Sequence, residues 1–429
     1  MKSKALILFL LLTQVVIAQN KSEQLARQFI GYLAEEQFTK ATAMFSPRVL
    51  EKIQEAQVTT IWGQVQQQAG AFKEVVNVEV KEAGVFQQTT SLCQFEKSYL
   101  NIRLAFDESG QVAGIFFTPA EAPSAPAYEL PPYADESTYK EVETKLSTPA
   151  GDLKAIYTQP LKVEHPPVIV FVHGSGPNDE DETLGPNKIF KDLATGLASR
   201  GIASYRYVKR SKAYPMSFTD QMTIDDEVVD DAVTAIAEAR RLSSGPVFLL
   251  GHSLGGMMAP KIASSVSELT GVIILAGPNR PLEEMMIDQV DYILTNDTPA
   301  DKSVYQGIKK VATRIQSGNY DADTPKSELM NIPASYWKDL ATYDPLKTIK
   351  KVKKPVLVLQ GERDYQVTME DFERWKTAVK KRGKYLSYPL LNHMFYAGKG
   401  LCLPAEYQEK GFFNGKVIAD IVLWVVTEN

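Results

Sequence analysis

The string "GHSLGG", Gly251 to Gly256, follows the apolar run Val247 to Leu250 and precedes residues compatible with a helix. Gly-x-Ser-x-Gly at a strand-to-helix turn is a spacing suited to a nucleophile. Small residues at Gly251 and Gly255 permit a tight, strained turn that lifts the Ser253 hydroxyl out of the backbone. The same turn aims the next N–H and the start of the helix at any oxyanion formed there. A serine hydroxyl needs a base to attack at neutral pH, and histidine has the suitable pKa. The chain has four histidines. His165 precedes Pro166 and Pro167 at a strand entrance, the wrong end of a parallel sheet for a site. His173, in "VHGSGP", shapes its loop, and His252 adjoins the serine, so its side chain must point elsewhere. His393, in "LLNHMF", is left as the expected base.

The base needs a carboxylate to orient it and to stabilise the imidazolium. Asp364, in "VLVLQGERD", stands just past a strand, with Gly361 allowing the turn. Glu362 is a nearby competitor, and Asp344 in "YDP" is a remote one that reads as a cap before Pro345. The order Ser253, Asp364, His393 is one of the known chain orders for this constellation. A second oxyanion donor is expected from "HGSGPND", after the first central strand. The expected donors are the N–H groups of Leu254 and Ser175, with Gly174 as the alternative and a plain tight loop as the competing reading. Loss of one such donor costs about 3 kcal/mol of transition-state stabilisation. No metal or cofactor is implied, and Cys93 and Cys402 lack metal-ligand neighbours.

The elements around these residues alternate between strand and helix. "YKEVETKL" and "LKAIYTQ" around "TPAGD" predict an antiparallel hairpin. "PPVIVFVHGSG" then reads as a strand covered on both faces. Phe190, Leu193, Ala194 and Leu197 form a helical stripe ended by Gly201; "IASYRYV" is the next strand. Thr223 and Asp226 can cap the helix carrying Ile224, Val228, Ala232 and Ile236. "PVFLLG", "GVIILAG" and "KPVLVLQG" complete the strand set, and a last helix starts near Lys416. This predicts a parallel α/β sheet with right-handed crossovers. A mostly helical insertion, about residues 279–350, sits where a lid is expected. Met257, Met258, Met285, Met286, Tyr292, Tyr305, Tyr336 and Trp337 are candidates to line a pocket, with core packing as the competing role. Arg206 is expected to pair with Asp179 or Asp181.

The chain of 429 residues exceeds one ordinary domain. Residues 1–18 place Lys2 and Lys4 before an apolar run, with Val16 and Ala18 at small-residue positions before a cut, the pattern of a secretory signal peptide. The run is shorter than the roughly 20 residues a spanning helix needs, so no stable membrane anchor is expected. Cleavage takes the formal charge from −5 to −7, since the leader holds no acid, and this argues against a nucleic-acid partner. Prolines at 119, 123, 126, 131 and 132 mark a linker, residues 119–137. It separates a small domain, residues 20–118, from a large one, residues 138–429. In the small domain, Leu25, Phe29 and Leu33, then Phe38, Ala41 and Phe45, and a set around Trp62 predict helices. Alternations at Val76 to Val80, Tyr99 to Phe106 and Val112 to Phe117 predict strands, giving an α+β layer pair. Cys93 and Cys402 are expected to be unpaired. The oligomeric state, a homodimer included, is left open.

The small domain resembles the cystatin-like or nuclear-transport-factor-like modules that precede hydrolase domains in exported bacterial proteins. From about Tyr139 onward the chain resembles an α/β-hydrolase: "FVHGSGPNDED", "YRYVKR", "GHSLGG", "LQGERDYQV" and "NHMF" together are similar to bacterial serine esterases, exported or thermophilic, that carry a small N-terminal domain. The resemblance implies a Ser-Asp-His triad and cofactor-free hydrolysis of carboxylic esters through an acyl-enzyme, with a small-molecule ester as partner. Peptidase, thioesterase or acyltransferase chemistry on the same scaffold, or a binding protein without activity, are the alternatives. The acidic "NDEDE" loop and the "VKRS" strand end depart from the family's usual residues and bear on substrate preference. The implied location is periplasmic or secreted.

Overall fold

The computed structural model describes residues 21–83, 86–121, 128–214, 219–297 and 302–428, and the chain divides into a unit ending at Ala127 and a unit beginning at Tyr128. The leader expected at residues 1–18 lies outside the described residues.

In the first unit the Leu25–Phe29–Leu33 stripe belongs to α1, described over residues 21–34. It is followed by α2 (Phe38–Ala43), α3 (Pro47–Leu50) and α4 (Glu55–Ala69). An antiparallel meander comes next: β1 (Phe72–Ala83), β2 (Phe86–Phe95), β3 (Tyr99–Phe106) and β4 (Val112–Ala120). Cys93, Phe95, Ile102, Leu104 and Val112 on one face are buried together with helix residues Phe29 and Trp62 and with Phe45, which follows α2. β2 is a strand that patterning missed. "FQQTTSLCQF" is polar by composition, yet it alternates, with Thr89, Ser91, Cys93 and Phe95 buried.

The proline-rich stretch divides differently from the expected linker. Pro119 closes β4, an edge strand where a missing N–H is tolerated. Pro123 and Pro126 lie outside the described residues. From Tyr128 the chain is part of the second unit: the Tyr128 hydroxyl donates to Asp192 at 2.9 Å, and Arg200 donates to the Tyr133 carbonyl at 3.2 Å.

The second unit opens with the expected hairpin, β5 (Tyr139–Thr148) and β6 (Gly151–Pro160). Next come β7 (Val168–Val172), a short ladder β8 (Thr183–Leu184) and β9 (Asn187–Lys188), α5 (Ile189–Ala198), β10 (Ala203–Tyr207) and α6 (Arg210–Ala213). α7 (Asp230–Leu242) is entered through the reciprocal Thr223–Asp226 cap and a π turn over Asp225–Val229. β11 (Val247–His252), α8 (Leu254–Ser265) and β12 (Gly271–Leu275) follow. The insertion is helical as expected, with α9 (Leu282–Asn296), α10 (Lys302–Gln316), α11 (Ala334–Thr342) and α12 (Pro345–Ile349). The chain ends with β13 (Val356–Gly361), α13 (Met369–Val379), β14 (Gly383–Tyr388) and α14 (Gly415–Glu428).

Among the described residues these strands form one eight-stranded sheet in the order β14-β13-β12-β11-β7-β10-β6-β5, parallel from β14 through β10. β7, β10, β11, β12 and β13 are buried at every residue because helices cover both faces. Ile236, Ile262 and Trp375 pack on one face; Phe190, Ile418 and Trp424 pack on the other. β14, "GKYLSY", was not expected. It is an edge strand whose residues are all half-buried, so it lacks the apolar run that marks its neighbours. Cys93 and Cys402 are both buried and free.

Candidate active site

Gly251 of β11 lies opposite Val172 of β7 in a parallel pair, so the loops leaving the two strands emerge side by side. Ser253 stands between β11 and α8 with φ 51° and ψ −118°. A non-glycine residue in this region costs on the order of 1–3 kcal/mol, and it persists only where the surroundings hold it. The Ser253 N–H donates to the Leu275 carbonyl at 3.0 Å. A Cβ on Gly251 would run into the Gly255 carbonyl, and one on Gly255 into the Val172 carbonyl. Both glycines are therefore required by close backbone approach.

Asp364 follows β13. Its Oδ1 accepts the N–H groups of Gln366 at 2.8 Å and Val367 at 3.0 Å, and its Oδ2 accepts Gln360 Nε2 at 3.1 Å. His393 Nδ1 lies 2.7 Å from Asp364 Oδ2. The competing carboxylates are elsewhere: Glu362 is exposed and accepts the Ser387 hydroxyl, while Asp344 caps α12 through the Lys347 N–H. A carboxylate only accepts, so Nδ1 carries the proton and Nε2 is left basic. The His393 loop is braced by buried Asn392, whose Oδ1 accepts the N–H groups of Met394 and Tyr396 and whose Nδ2 donates to Glu406. Glu406 in turn takes a two-pronged contact from Arg363.

The loop after β7 is tied down by charged residues. Gly174 N–H donates to Glu182 Oε1 at 2.6 Å, so the alternative oxyanion donor is already used. Among the described residues, the N–H groups of Ser175 and Leu254 have no protein acceptor. Lys209, only 2% exposed, donates to the Gly174 carbonyl at 2.9 Å and pairs with Glu227 at 2.8 Å. Glu227 also accepts the Tyr336 hydroxyl of α11 at 2.9 Å, so the insertion is linked to the loop. His173 Nε2 lies 3.0 Å from the Asp179 carbonyl oxygen, and burial drives the pKa of this imidazole down to about 4. Arg206 meets Asp181 at 3.0 Å together with Glu141 and Thr158, whereas Asp179 holds Thr183 instead. His252 turns away from the serine, between Glu182 and the His393 carbonyl. Sequence reasoning missed Glu182, Lys209 and Glu227 as parts of the site. For Glu182 and Lys209 the available signal was charge in "NDEDE" and "VKRS", in the segments that follow two adjacent central strands.

Ser253 and His393 line one cavity of about 660 Å³. Its apolar wall includes Met222, Met285, Met286, Met330, Tyr336 and Trp337. Four candidates do not line it: Met257 and Met258 belong to the core beneath the sheet, Tyr292 stacks on Tyr365 at 4.8 Å, and Tyr305 packs in that same cluster. Among the described residues no group of His, Cys, Asp and Glu is arranged to hold a metal ion. A strained serine, a histidine with a fixed tautomer and unpaired N–H groups around an apolar cavity are suited to acyl transfer.

The sequence matches the signature described as "Alpha/beta hydrolase family" over residues 169–396, just over half of the chain. It matches "Protein of unknown function (DUF3887)" over residues 26–115. It is similar to Esterase EstD of Thermotoga maritima, with 34% identity over 424 residues, which cover 98% of this chain and 99% of that protein. A monoglyceride lipase homolog of Monkeypox virus is 26% identical over 210 residues, 46% of this chain and 71% of that protein. Among solved structures, Est1E from Butyrivibrio proteoclasticus aligns with a TM-score of 0.44 at 15% identity, covering 66% of this chain and 99% of that one.

Proposed function

The chain belongs to the alpha/beta hydrolase family, and we propose that this esterase cleaves carboxylic esters of small to medium size through Ser253, His393 and Asp364. Ser253 Oγ attacks the ester carbonyl as His393 Nε2 takes its proton. The tetrahedral oxyanion is held by the N–H groups of Leu254 and Ser175. His393 then gives its proton to the departing alkoxide, leaving an acyl-enzyme and a free alcohol. Water, deprotonated by the same nitrogen, attacks the acyl carbon, and the acid leaves as Ser253 is reprotonated. Asp364 holds the imidazole and stabilises its charged form at each step.

The observation that carries this reading is the 2.7 Å contact between His393 Nδ1 and Asp364, with Ser253, held at positive φ, lining the same cavity as His393. The match to an esterase along nearly the whole of both chains supports it. Export with cleavage after Ala18, to the periplasm or beyond, is part of the same proposal and rests on the pattern of residues 1–18. N-terminal sequencing of the protein recovered from cell fractions should begin at Gln19; intact residues 1–18 would remove the export claim.

The deciding experiment is hydrolysis of a chain-length series of p-nitrophenyl esters by the mature protein and by Ser253→Ala, with folding followed by circular dichroism. Turnover that vanishes in a folded Ser253→Ala is expected. Equal rates in both proteins would reject the triad, and inactivity on esters with turnover of thioesters or peptides would redirect the substrate class.

A further inference from the structure

Glu182 is a buried carboxylate that the ester-cleaving steps above do not use. It is 5% exposed and adopts φ 48°. Oε1 accepts the Gly174 N–H, and Oε2 lies 3.0 Å from His252 Nδ1. His252, 3% exposed, has Nε2 3.1 Å from the carbonyl oxygen of His393. A peptide carbonyl only accepts a hydrogen bond, and so does a carboxylate, so both ring nitrogens face acceptors and both must donate. The buried contacts are satisfied by an imidazolium beside a carboxylate.

The position of this pair matters. Glu182 Oε1 and Ser253 Cβ lie 3.1 and 3.2 Å from one point beside Gly174, so the carboxylate is within about 6 Å of the nucleophile's side chain. An unscreened negative charge there opposes the oxyanion that develops at the ester carbonyl. At an effective dielectric of about 20, one such charge about 6 Å away slows the reaction roughly 100-fold.

We propose that Glu182 and His252 are positioning residues for the ester hydrolysis: a standing ion pair that fixes the Gly174–Ser175 loop, the serine elbow and the His393 loop together, with the His252 charge cancelling a carboxylate that would otherwise repel the oxyanion. The proposal rests on the triad reading. The other ionisable groups facing the pair are His173, Asp364 and His393, and His173 in turn feels Lys209 and Asp179. Burial acts most strongly against charge on His252, but Glu182, the His393 carbonyl and Asp364 together raise the histidine's pKa. Burial likewise opposes the Glu182 charge most strongly, and His252, with His173 and the Gly174 N–H, lowers the carboxyl's pKa in sum.

The test uses His252→Gln, Glu182→Gln and the double variant in the full mature chain, with kcat and KM for p-nitrophenyl butyrate. His252→Gln should lose about 100-fold in kcat with KM within about 3-fold. Glu182→Gln, which keeps an acceptor for Gly174 while removing the charge, should lose less than about 10-fold, and adding it to His252→Gln should restore about 10-fold. Equal single losses that multiply in the double variant, or a His252→Gln enzyme with wild-type kcat, would overturn the proposal. Should His252→Gln fail to fold, nitrogen-15 NMR of the wild-type histidines decides. Both His252 nitrogens should carry a proton at about pH 7, where an ordinary histidine is mostly neutral, and a bare ring nitrogen there would sink the idea. Activity surviving in Ser253→Ala would reject the triad reading separately, since the NMR result does not depend on it.

Discussion

Asp364 Oδ2 stands 2.7 Å from His393 Nδ1, while Asp364 Oδ1 is fixed from the opposite side by the N–H groups of Gln366 and Val367. The carboxylate therefore has only one orientation available. In Asp364→Asn the two backbone N–H groups would retain the amide oxygen and turn the NH2 toward His393. Nδ1 would have to accept, and Nε2 would carry the proton, leaving no base for Ser253. We expect kcat to fall about 10⁴-fold with the fold intact. Steady-state hydrolysis of p-nitrophenyl butyrate alongside thermal unfolding checks it; a loss below tenfold would show that the contact does not set the tautomer.

Gly174 is the second constraint. A Cβ there would lie 3.1 Å from Glu182 Oε1 and 3.2 Å from Ser253 Cβ, tighter than ordinary contact. Gly174→Ala should push the loop away from the elbow by a few tenths of an ångström, carrying Ser175 N–H with it. Such displacements cost up to about 100-fold in rate and on the order of 1 kcal/mol in stability. The expected result is a kcat loss between about 10- and 100-fold, with a melting temperature lowered by only a few degrees. Wild-type kcat would mean that this loop does not supply an oxyanion donor.

The fold was legible wherever apolar runs exposed the sheet. "VIVFV", "VFLL", "VIIL" and "VLVL" all became fully buried strands because each is covered on two faces. β2 and β14 were illegible for the opposite reason: "FQQTTSLCQF" alternates in polar residues, and "GKYLSY" is half-buried throughout. Within the site, spacing and chain order pointed to Ser253, Asp364 and His393, and the geometry puts the last two in contact. The carboxylates and the lysine that brace the loop were hidden, because a charged residue near a strand end usually lies in solvent. Only tertiary packing reveals that Glu182 and Lys209 are buried.

His173 gives the site a pH dependence of known sign. Burial holds its folded pKa at about 4, below the ordinary histidine value of 6.5. On acidification the unfolded chain takes up the proton first, so this contribution to stability is complete above about pH 6.5 and is lost as pH falls toward 4. At 1.36 kcal/mol per unit the loss is about 3 kcal/mol. Urea unfolding of wild type and His173→Gln at pH 7.5 and pH 4 isolates it: the wild type's advantage should narrow by about 2–3 kcal/mol at the acid end. A gap that stays constant would mean that His173 is as easily protonated in the folded protein as in the unfolded chain.

The cavity makes the last prediction. Met285, Met286, Met330 and Trp337 form much of its apolar wall, and Trp337 is anchored by donation from Nε1 to the Leu329 carbonyl at 3.2 Å, so the softer methionines set the usable length. Met286 lines the cavity from α9 and is half-buried, so a larger side chain there can fill space without breaking the core. Each methylene of an acyl chain seated in this space contributes about 0.8 kcal/mol. Met286→Trp should displace about two methylenes' worth of contact, lowering kcat/KM for p-nitrophenyl octanoate about 10-fold while leaving the acetate ester nearly unchanged. The octanoate-to-acetate ratio is the measurement because it cancels any general effect on the triad. A fall in both esters alike would indicate a disturbed Ser253, and an unchanged ratio would put the acyl chain outside the methionine wall, with the alcohol portion of the ester occupying it instead.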